Sequence, residues 1–220
     1  MLKENLLKNT FGVLFISLFL TSCAVNKVAT VSSDNLQLVK NGLVFENDTL
    51  KITYKFWAKN GAMTFDIYNK TNLPLFFDWK KSAFIPNDKM MSYWQDETNT
   101  EGISKSSAYY LNGGVAAASS RSKSKSIRQE RVGVVPPRSL ITSNKYSLVL
   151  PSQNFVTDIT YNNNNSPLRF RNYLAVSSTE QFDKDVFYVD NSFFVTIVKK
   201  VKEKNLKAAQ FDNSFFITNK

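Results

Sequence analysis

The stretch LKITYKFWAKNGAMTFDIYN, residues 50–69, decides the fold class of this 220-residue chain. Apolar and polar residues alternate on both sides of Asn60-Gly61, which is the pattern of strands with one buried face. The residues predicted to face the core are Leu50, Ile52, Tyr54, Phe56, Met63, Phe65 and Ile67. Asn-Gly tolerates the positive φ angles of a tight turn. The sequence therefore predicts a β-hairpin over residues 50–69.

Short segments rich in β-branched and aromatic residues fill most of the remaining chain, with turn residues between them. Those predicted as strands are GLVFEN (42–47), LPLFFDW (73–79), SAFI (82–85), MMSYW (90–94), RVGVV (131–135), KYSLVL (145–150), NFVTDITY (154–161), LRFRNYLAVSS (168–178), VFYV (186–189), SFFVTIVKKV (192–201) and SFFITN (214–219). EKNLKAAQ (203–210) predicts one or two helical turns. Many short strands with little helix predict a mainly β fold, an antiparallel β-sandwich.

Residues 95–130 differ from this pattern, because small polar residues dominate and Ser alternates with Arg or Lys from Ser119 to Ser126. Loops of this length are usually functional or disordered. We predict a disordered, low-complexity insertion within one domain, since strands of the same style resume after it.

Two heptapeptides match closely, DNSFFVT at 190–196 and DNSFFIT at 212–218. Two copies are too few for a repeat architecture. A turn that leads into an apolar strand twice is the simpler interpretation.

The segment from Gly42 to Ile85 resembles the immunoglobulin-like modules of exported bacterial lipoproteins, in which a hairpin leads through an Asn-rich turn to a strand such as LPLFFDW (73–79). VVPPRSLI (134–141) is similar to a loop between late strands of those modules. The resemblance implies an immunoglobulin-like sandwich, without the Cys…Trp…Cys pattern of antibody domains. It implies no activity, because a fold does not determine a function.

The N-terminus carries a basic leader, MLKENLLKNT, followed by the uncharged run FGVLFISLFL at residues 11–20. A transmembrane helix needs about 20 apolar residues. A run half as long is typical of the apolar core of a signal peptide. Cys23, the one cysteine of the chain, follows this run after Thr21 and Ser22.

Leu20-Thr21-Ser22-Cys23 resembles the lipobox of bacterial lipoproteins. The resemblance implies that Cys23 receives a diacylglyceryl group, that the chain is cut before it, and that the new amine is acylated. Two or more acyl chains anchor a protein stably to a bilayer. The alternatives are a buried free thiol, or an ordinary secretory signal that ends beside one. A lone cysteine cannot form an intramolecular disulfide.

These features divide the chain into a signal peptide at residues 1–22, a flexible tether at 23–40 and a β-sandwich domain at 41–220. Ala24 follows Cys23, and the stretch AVNKVATVSS that begins with it (24–33) has no acidic residue. By resemblance to enterobacterial and Bacteroidetes lipoproteins, this favours the outer membrane and a position facing the periplasm. Loss of Lys3, Lys8 and Glu4 with the leader would lower the net charge from +10 to +9.

The composition excludes several kinds of catalysis. The chain has no histidine, which removes Ser-His-Asp triads and nearly all catalytic zinc sites. Ser120-Arg121-Ser122-Lys123 matches the Ser-x-x-Lys pattern of penicillin-binding enzymes, but its partner motifs are missing. We predict no cofactor, no metal site and no catalytic residue.

Three other patterns carry weaker functional hypotheses. The acidic residues nearest the aromatic strands are candidates for glycoside hydrolysis, namely Asp66, Asp78, Asp96 and Glu97. The candidates for an aromatic glycan or peptide platform are Trp57, Trp79, Tyr93 and Trp94, although packing in the core is the commoner role of such residues. Asp48-Thr49-Leu50 matches a short O-glycosylation pattern of exported Bacteroidetes proteins.

The leading hypothesis is a lipid-anchored, non-enzymatic binding or structural module of the cell envelope, whose partner is an envelope protein or a glycan. The alternatives are a carboxylate-based glycan hydrolase and a binder of anionic envelope polymers through the Ser/Arg/Lys segment. A positive net charge favours anionic partners in general. An exported protein rarely meets nucleic acid, so we expect no specific nucleic-acid partner.

Overall fold

The computed structural model describes residues 25–40, 42–94, 99–111, 115–127, 130–150, 156–211 and 213–218. These residues form strands β1 (Val25–Ser32), β2 (Gln37–Val39), β3 (Gly42–Glu46), β4 (Leu50–Lys55), β5 (Thr64–Asn69), β6 (Leu75–Asp78), β7 (Ala83–Pro86), β8 (Met91–Ser92), β9 (Asn99–Leu111), β10 (Val115–Ile127), β11 (Val132–Val135), β12 (Leu140–Ser143), β13 (Arg169–Ser177), β14 (Phe187–Lys202) and β15 (Ser214–Thr218). Two short 3₁₀ turns, Glu203–Asn205 and Lys207–Ala209, follow β14.

The strands form two main antiparallel sheets. The large sheet has the order β11-β6-β13-β14-β1-β15, with β7 paired to β13 and β8 paired to β7. The small sheet has the order β12-β5-β4-β3-β2. Consecutive hairpins build most of the small sheet, whereas β12 returns to it after the chain has visited the large sheet.

Aromatic side chains from both sheets pack face to face and form the core. The ring centroids of Tyr54 and Phe193 lie 4.7 Å apart, and Phe56 contacts Phe170 and Phe193 at 5.9 and 5.6 Å. This layered arrangement confirms the predicted fold class, a mainly β antiparallel sandwich. The immunoglobulin-like part of that prediction stays a prediction.

The hairpin over residues 50–69 is confirmed. β4 and β5 pair with Ile52 opposite Ile67 and Tyr54 opposite Phe65. All seven residues predicted to face the core are buried, with exposed fractions of 0–1%. Asn60 and Gly61 adopt φ angles of 58° and 65°. A Cβ atom on Gly61 would lie 2.2 Å from the carbonyl oxygen of Leu148, so the turn has no room for a larger residue.

The first described residues differ from the predicted tether at 23–40. Residues 25–32 form β1, which pairs with β14 on one side and β15 on the other. Ala29 and Val31 are fully buried. The sequence prediction missed this strand because both of its partners lie near the other end of the chain.

The segment predicted as an insertion belongs to neither main sheet, which agrees with that prediction. Its described parts, β9 and β10, pair with each other in a separate two-stranded sheet from Asn99 opposite Ile127 to Leu111 opposite Val115. The sandwich strands resume at β11, which pairs with β6.

The structure differs from the sequence prediction at four of the predicted strands. KYSLVL (145–150) forms an isolated bridge through Ser147, and the described part of NFVTDITY forms one through Thr160. Alternate side chains of the former are buried, with Leu148 1% exposed, so the segment packs on the core without a ladder. VFYV and SFFVTIVKKV are one continuous strand, β14, so the first DNSFF copy lies inside a strand and not at a turn.

Candidate functional site

The two described acidic candidates for catalysis are engaged separately in the two sheets. Asp66 of the small sheet accepts hydrogen bonds from Lys55 Nζ at 2.5 Å and from the Thr142 hydroxyl at 2.7 Å. Asp78 of the large sheet is fully buried. Asp96 and Glu97 lie outside the described residues, and the two described candidates belong to different sheets and have different hydrogen-bond partners.

Asp78 is held by a charge pair and by a turn. Arg131 Nη2 donates to Asp78 Oδ2 at 2.6 Å, and the backbone N–H groups of Lys80 and Lys81 donate to Oδ1. Burial alone would raise the pKa of this carboxyl, but the hydrogen bonds from Arg131 and the turn outweigh it and hold the pKa below its ordinary value. Asp78 is therefore an ionised residue that fixes the end of β6, and it is not poised as a catalytic acid.

The four candidate platform aromatics do not share one surface. Tyr93 is 2% exposed, and its ring lies 6.1 Å from that of Trp79. Trp79 also stacks on Phe77, whereas Trp57 packs on Phe216 in another part of the molecule. Trp94 lies under the Lys80 ammonium group. Packing is thus the role that the geometry supports for these side chains.

Three further sites were predicted from sequence motifs, and the structure describes two of them at least in part. Cys23 lies outside the described residues, two positions before β1. Asp48-Thr49-Leu50 lies at a turn in which Asn47 Oδ1 accepts the N–H groups of Thr49 and Leu50. Its glycosylation stays a prediction. The Ser120–Lys123 motif lies on β10, for which the structure describes the backbone.

A buried polar cluster in the core was missed by the sequence analysis. Asn172 of β13 and Asn191 of β14 are direct partners in the ladder, and the Nδ2 group of each donates to the Tyr54 hydroxyl at 2.8 Å. The Tyr93 hydroxyl donates to Asn172 Oδ1 at 2.7 Å. Asn191 Oδ1 is buried and accepts no hydrogen bond from the described residues. Burial raises the pKa of the Tyr54 phenol, more than the two asparagine amides lower it.

A sequence signal for this cluster exists. In β13, Asn172 occupies an inward position between Phe170 and Leu174, and in β14, Asn191 does so between Val189 and Phe193. A polar residue at an apolar position of an alternating strand predicts a buried hydrogen-bond partner. The cluster joins the two sheets through Tyr54, so we assign it a structural role.

A further surface lies on the large sheet and extends from the end of β14 along β1 to Phe211. Val25 is opposite Lys202, and the two 3₁₀ turns after β14 lie over the outer face of the sheet. A groove of about 970 Å³ separates these turns from β1 and β14. We define the basic patch as five lysines along this groove and its continuation, together with an aromatic residue, namely Lys199, Lys200, Lys202, Lys204, Lys207 and Phe211.

The structure describes these five lysines as exposed, and none of them forms an ion pair with another described residue. Phe211 is 61% exposed and lines both this groove and a neighbouring one of about 490 Å³. Leu38 and Val39 line the second groove and are 61% and 41% exposed. The basic patch thus combines lysines that have no ion-pair partner among the described residues with exposed apolar surface.

Comparisons of the chain with family models, with curated proteins and with solved structures found no match. In the part of the chain that the structure describes, no helix has the length and apolar character needed to span a bilayer. The same residues contain no group of three or more metal-ligating side chains. The fold defines the chain as an antiparallel β-sandwich protein.

Proposed function

We propose that this chain is a lipid-anchored protein of the cell envelope, whose β-sandwich acts as a non-enzymatic binding or structural module. The observation that carries this proposal is Leu20-Thr21-Ser22-Cys23 directly after the apolar run at 11–20. A basic leader, a short apolar core and small residues before a cysteine together are typical of an acylated export signal. Acyl chains on Cys23 would anchor the protein to a membrane.

The position of β1 supports anchoring close to the membrane. β1 starts at Val25, two residues after Cys23, and pairs with β14 and β15 on its two sides. Two residues of extended chain span at most about 7 Å. An acylated Cys23 would therefore hold this end of the large sheet against the bilayer, without the flexible tether that the sequence suggested.

The state of the acidic residues supports a binding or structural role over hydrolysis. A glycosidase needs a pair of carboxyl groups that flank one substrate bond. Asp78 is buried and paired with Arg131, and Asp66 is occupied by Lys55 and Thr142. Asp66 lines a groove of about 430 Å³ together with Glu46. Both of these carboxylates are engaged by lysines, since Glu46 lies near Lys51 and Lys70. We propose envelope proteins or glycans as the partners of this module.

The absence of acidic residues in AVNKVATVSS after Cys23 supports a location at the outer membrane, facing the periplasm. This part of the proposal follows from the resemblance to bacterial lipoproteins. The groove on the large sheet, which several lysines line, is compatible with it, because a membrane surface with phosphate groups attracts lysine.

The test is acyl labelling of the full chain in a bacterial host with a lipoprotein pathway. Cells are grown with an alkyne fatty acid, and the purified chain is probed for the label and fractionated between membrane and soluble material. We expect labelling of the wild type and complete loss in Cys23→Ser, with release or mislocalisation of the protein. Ser22→Ala, which keeps a small residue before the cysteine, is the matched control and should label normally. Label that persists in Cys23→Ser would overturn the assignment.

A further inference from the structure

The basic patch is unusual because it groups five exposed lysines, whereas several cations elsewhere on the sandwich pair with a neighbouring carboxylate. Arg131 pairs with Asp78, Arg171 with Asp190, and Lys55 with Asp66. Lys51 and Lys70 both lie near Glu46. The lysines of the basic patch have no such described partner, so their charges add to one local positive potential.

One carboxylate lies within the same segment, and it is already engaged. Glu203 Oε2 accepts a hydrogen bond from Asn26 Nδ2 at 2.5 Å, which ties the first 3₁₀ turn to the start of β1. This contact holds the segment after β14 in place and leaves the lysines beside it exposed. The arrangement suits a partner that brings several negative charges at once.

The apolar part of the patch narrows the class of partner. Phe211 stands between the two grooves, 61% exposed, next to the exposed side chains of Leu38 and Val39. An exposed aromatic ring in a groove lined by lysines is typical of surfaces that rest on a bilayer, because the ring enters the headgroup region while the ammonium groups meet lipid phosphates. A partner that binds through charge alone would not account for the exposed ring of Phe211.

We propose that the basic patch docks on the surface of a bilayer that contains anionic phospholipid. The inference rests on the anchoring proposed for Cys23, which supplies the bilayer, and it adds the face that the domain presents to it. β1 begins at Val25, opposite Lys202, so the anchor would lie beside the lysines at the end of β14. The segment after β14 leads from there toward Asn213, which hydrogen-bonds with Val31 near the other end of β1, so Phe211 lies farther from the anchor along the same groove. The lysines bind lipid phosphates, and Phe211 inserts between headgroups.

The experiment is flotation with vesicles of phosphatidylcholine alone, or of phosphatidylcholine and phosphatidylglycerol in equal parts. It uses the full chain with Cys23→Ser, so that no acyl chain contributes. This chain is expected to bind the anionic vesicles more tightly, and added salt should weaken the binding. The leader is the same in all variants, so a difference in vesicle binding between two variants reports on the substituted residues.

Lys199→Glu/Lys202→Glu/Lys204→Glu should lower partitioning to anionic vesicles about 100-fold, from roughly fivefold for each lysine. The matched control is Lys80→Glu/Lys89→Glu/Lys184→Glu, which makes the same change of charge at exposed lysines outside the patch. This control should stay within about threefold of the parent, as expected for a local contact with a screened range. Phe211→Ser should weaken binding about tenfold and leave the dependence on salt unchanged. Circular dichroism of each variant checks that the fold is retained.

Equal losses in the patch and control variants would overturn the inference, since net charge alone would then explain the binding. Indifference of the parent chain to phosphatidylglycerol would overturn it as well. The two proposals fail separately. Absence of acyl label in cells removes the anchor and leaves the flotation result intact, whereas equal flotation of the variants removes the docking surface and leaves the anchor.

Discussion

The interior between the sheets and the basic patch use aromatic residues in opposite ways. In the interior, Phe56 is fully buried and contacts the rings of Phe170 and Phe193. In the patch, Phe211 is 61% exposed and lies among lysines. Burial of the first kind stabilises the fold, whereas an exposed ring contributes little until a partner covers it. The difference predicts that substitutions in the two regions affect different measurements.

Phe56→Ala should give the largest loss of stability. The substitution removes a ring that bridges the two sheets and leaves a cavity in a packed core, which costs about 3–5 kcal/mol. Urea unfolding of the parent and the variant measures the free energy of unfolding. Flotation of the folded variant should match that of its parent. A loss below about 1 kcal/mol would contradict the packing described here for the two sheets.

Gly61→Ala should give the next largest loss, about 2–3 kcal/mol. Alanine at a φ angle of 65° is strained, and its Cβ would lie 2.2 Å from the carbonyl oxygen of Leu148. The matched control is Asn60→Gly in the same turn, where a φ of 58° suits glycine and we expect little change. Equal effects of the two substitutions would argue against this turn geometry.

This turn also shows how far the fold can be predicted from sequence. β4, the Asn60-Gly61 turn and β5 are adjacent in the chain, so alternation and turn chemistry are sufficient to identify them. β1 gave no such signal, because its partners in β14 and β15 are distant in sequence. Asn26 illustrates the difficulty, since it is a buried polar residue whose partner, Glu203, lies far along the chain.

The surface chemistry was harder to predict for a related reason. The sequence pattern places Lys199 and Lys200 in a strand and Lys204 in a helical turn, and it gives no sign that these lysines share one surface. Their importance depends on the segment after β14 lying over β1, and this contact brings the start of the chain to the same place. Likewise, Asn172 and Asn191 become a polar cluster only when the strand register sets them opposite each other.

Asp78→Asn should lower the free energy of unfolding by about 1–2 kcal/mol at neutral pH, because it removes the charge that Arg131 and the turn N–H groups stabilise. Since the folded-state pKa of Asp78 is lowered, its contribution is complete above the unfolded-state value of about 3.9 and is lost as the pH falls through the folded-state value. The variant should therefore lose less stability than the parent on acidification. Asp190→Asn, which breaks an exposed pair with Arg171, should cost less than about 1 kcal/mol. If Asp78→Asn keeps the full acid dependence of the parent, Asp78 is not the group responsible.

The smallest effect on stability should come from the basic patch itself. Lys199→Glu/Lys202→Glu/Lys204→Glu changes exposed side chains without described ion-pair partners, so the free energy of unfolding should move by less than about 0.5 kcal/mol. The same substitutions are expected to reduce vesicle binding strongly, which is the reverse of the result for Phe56→Ala. A loss of more than about 1 kcal/mol would mean that these lysines hold the 3₁₀ segment on the sheet. The exposed charges would then belong to the fold, and the contrast between a stabilising interior and a binding surface would not hold.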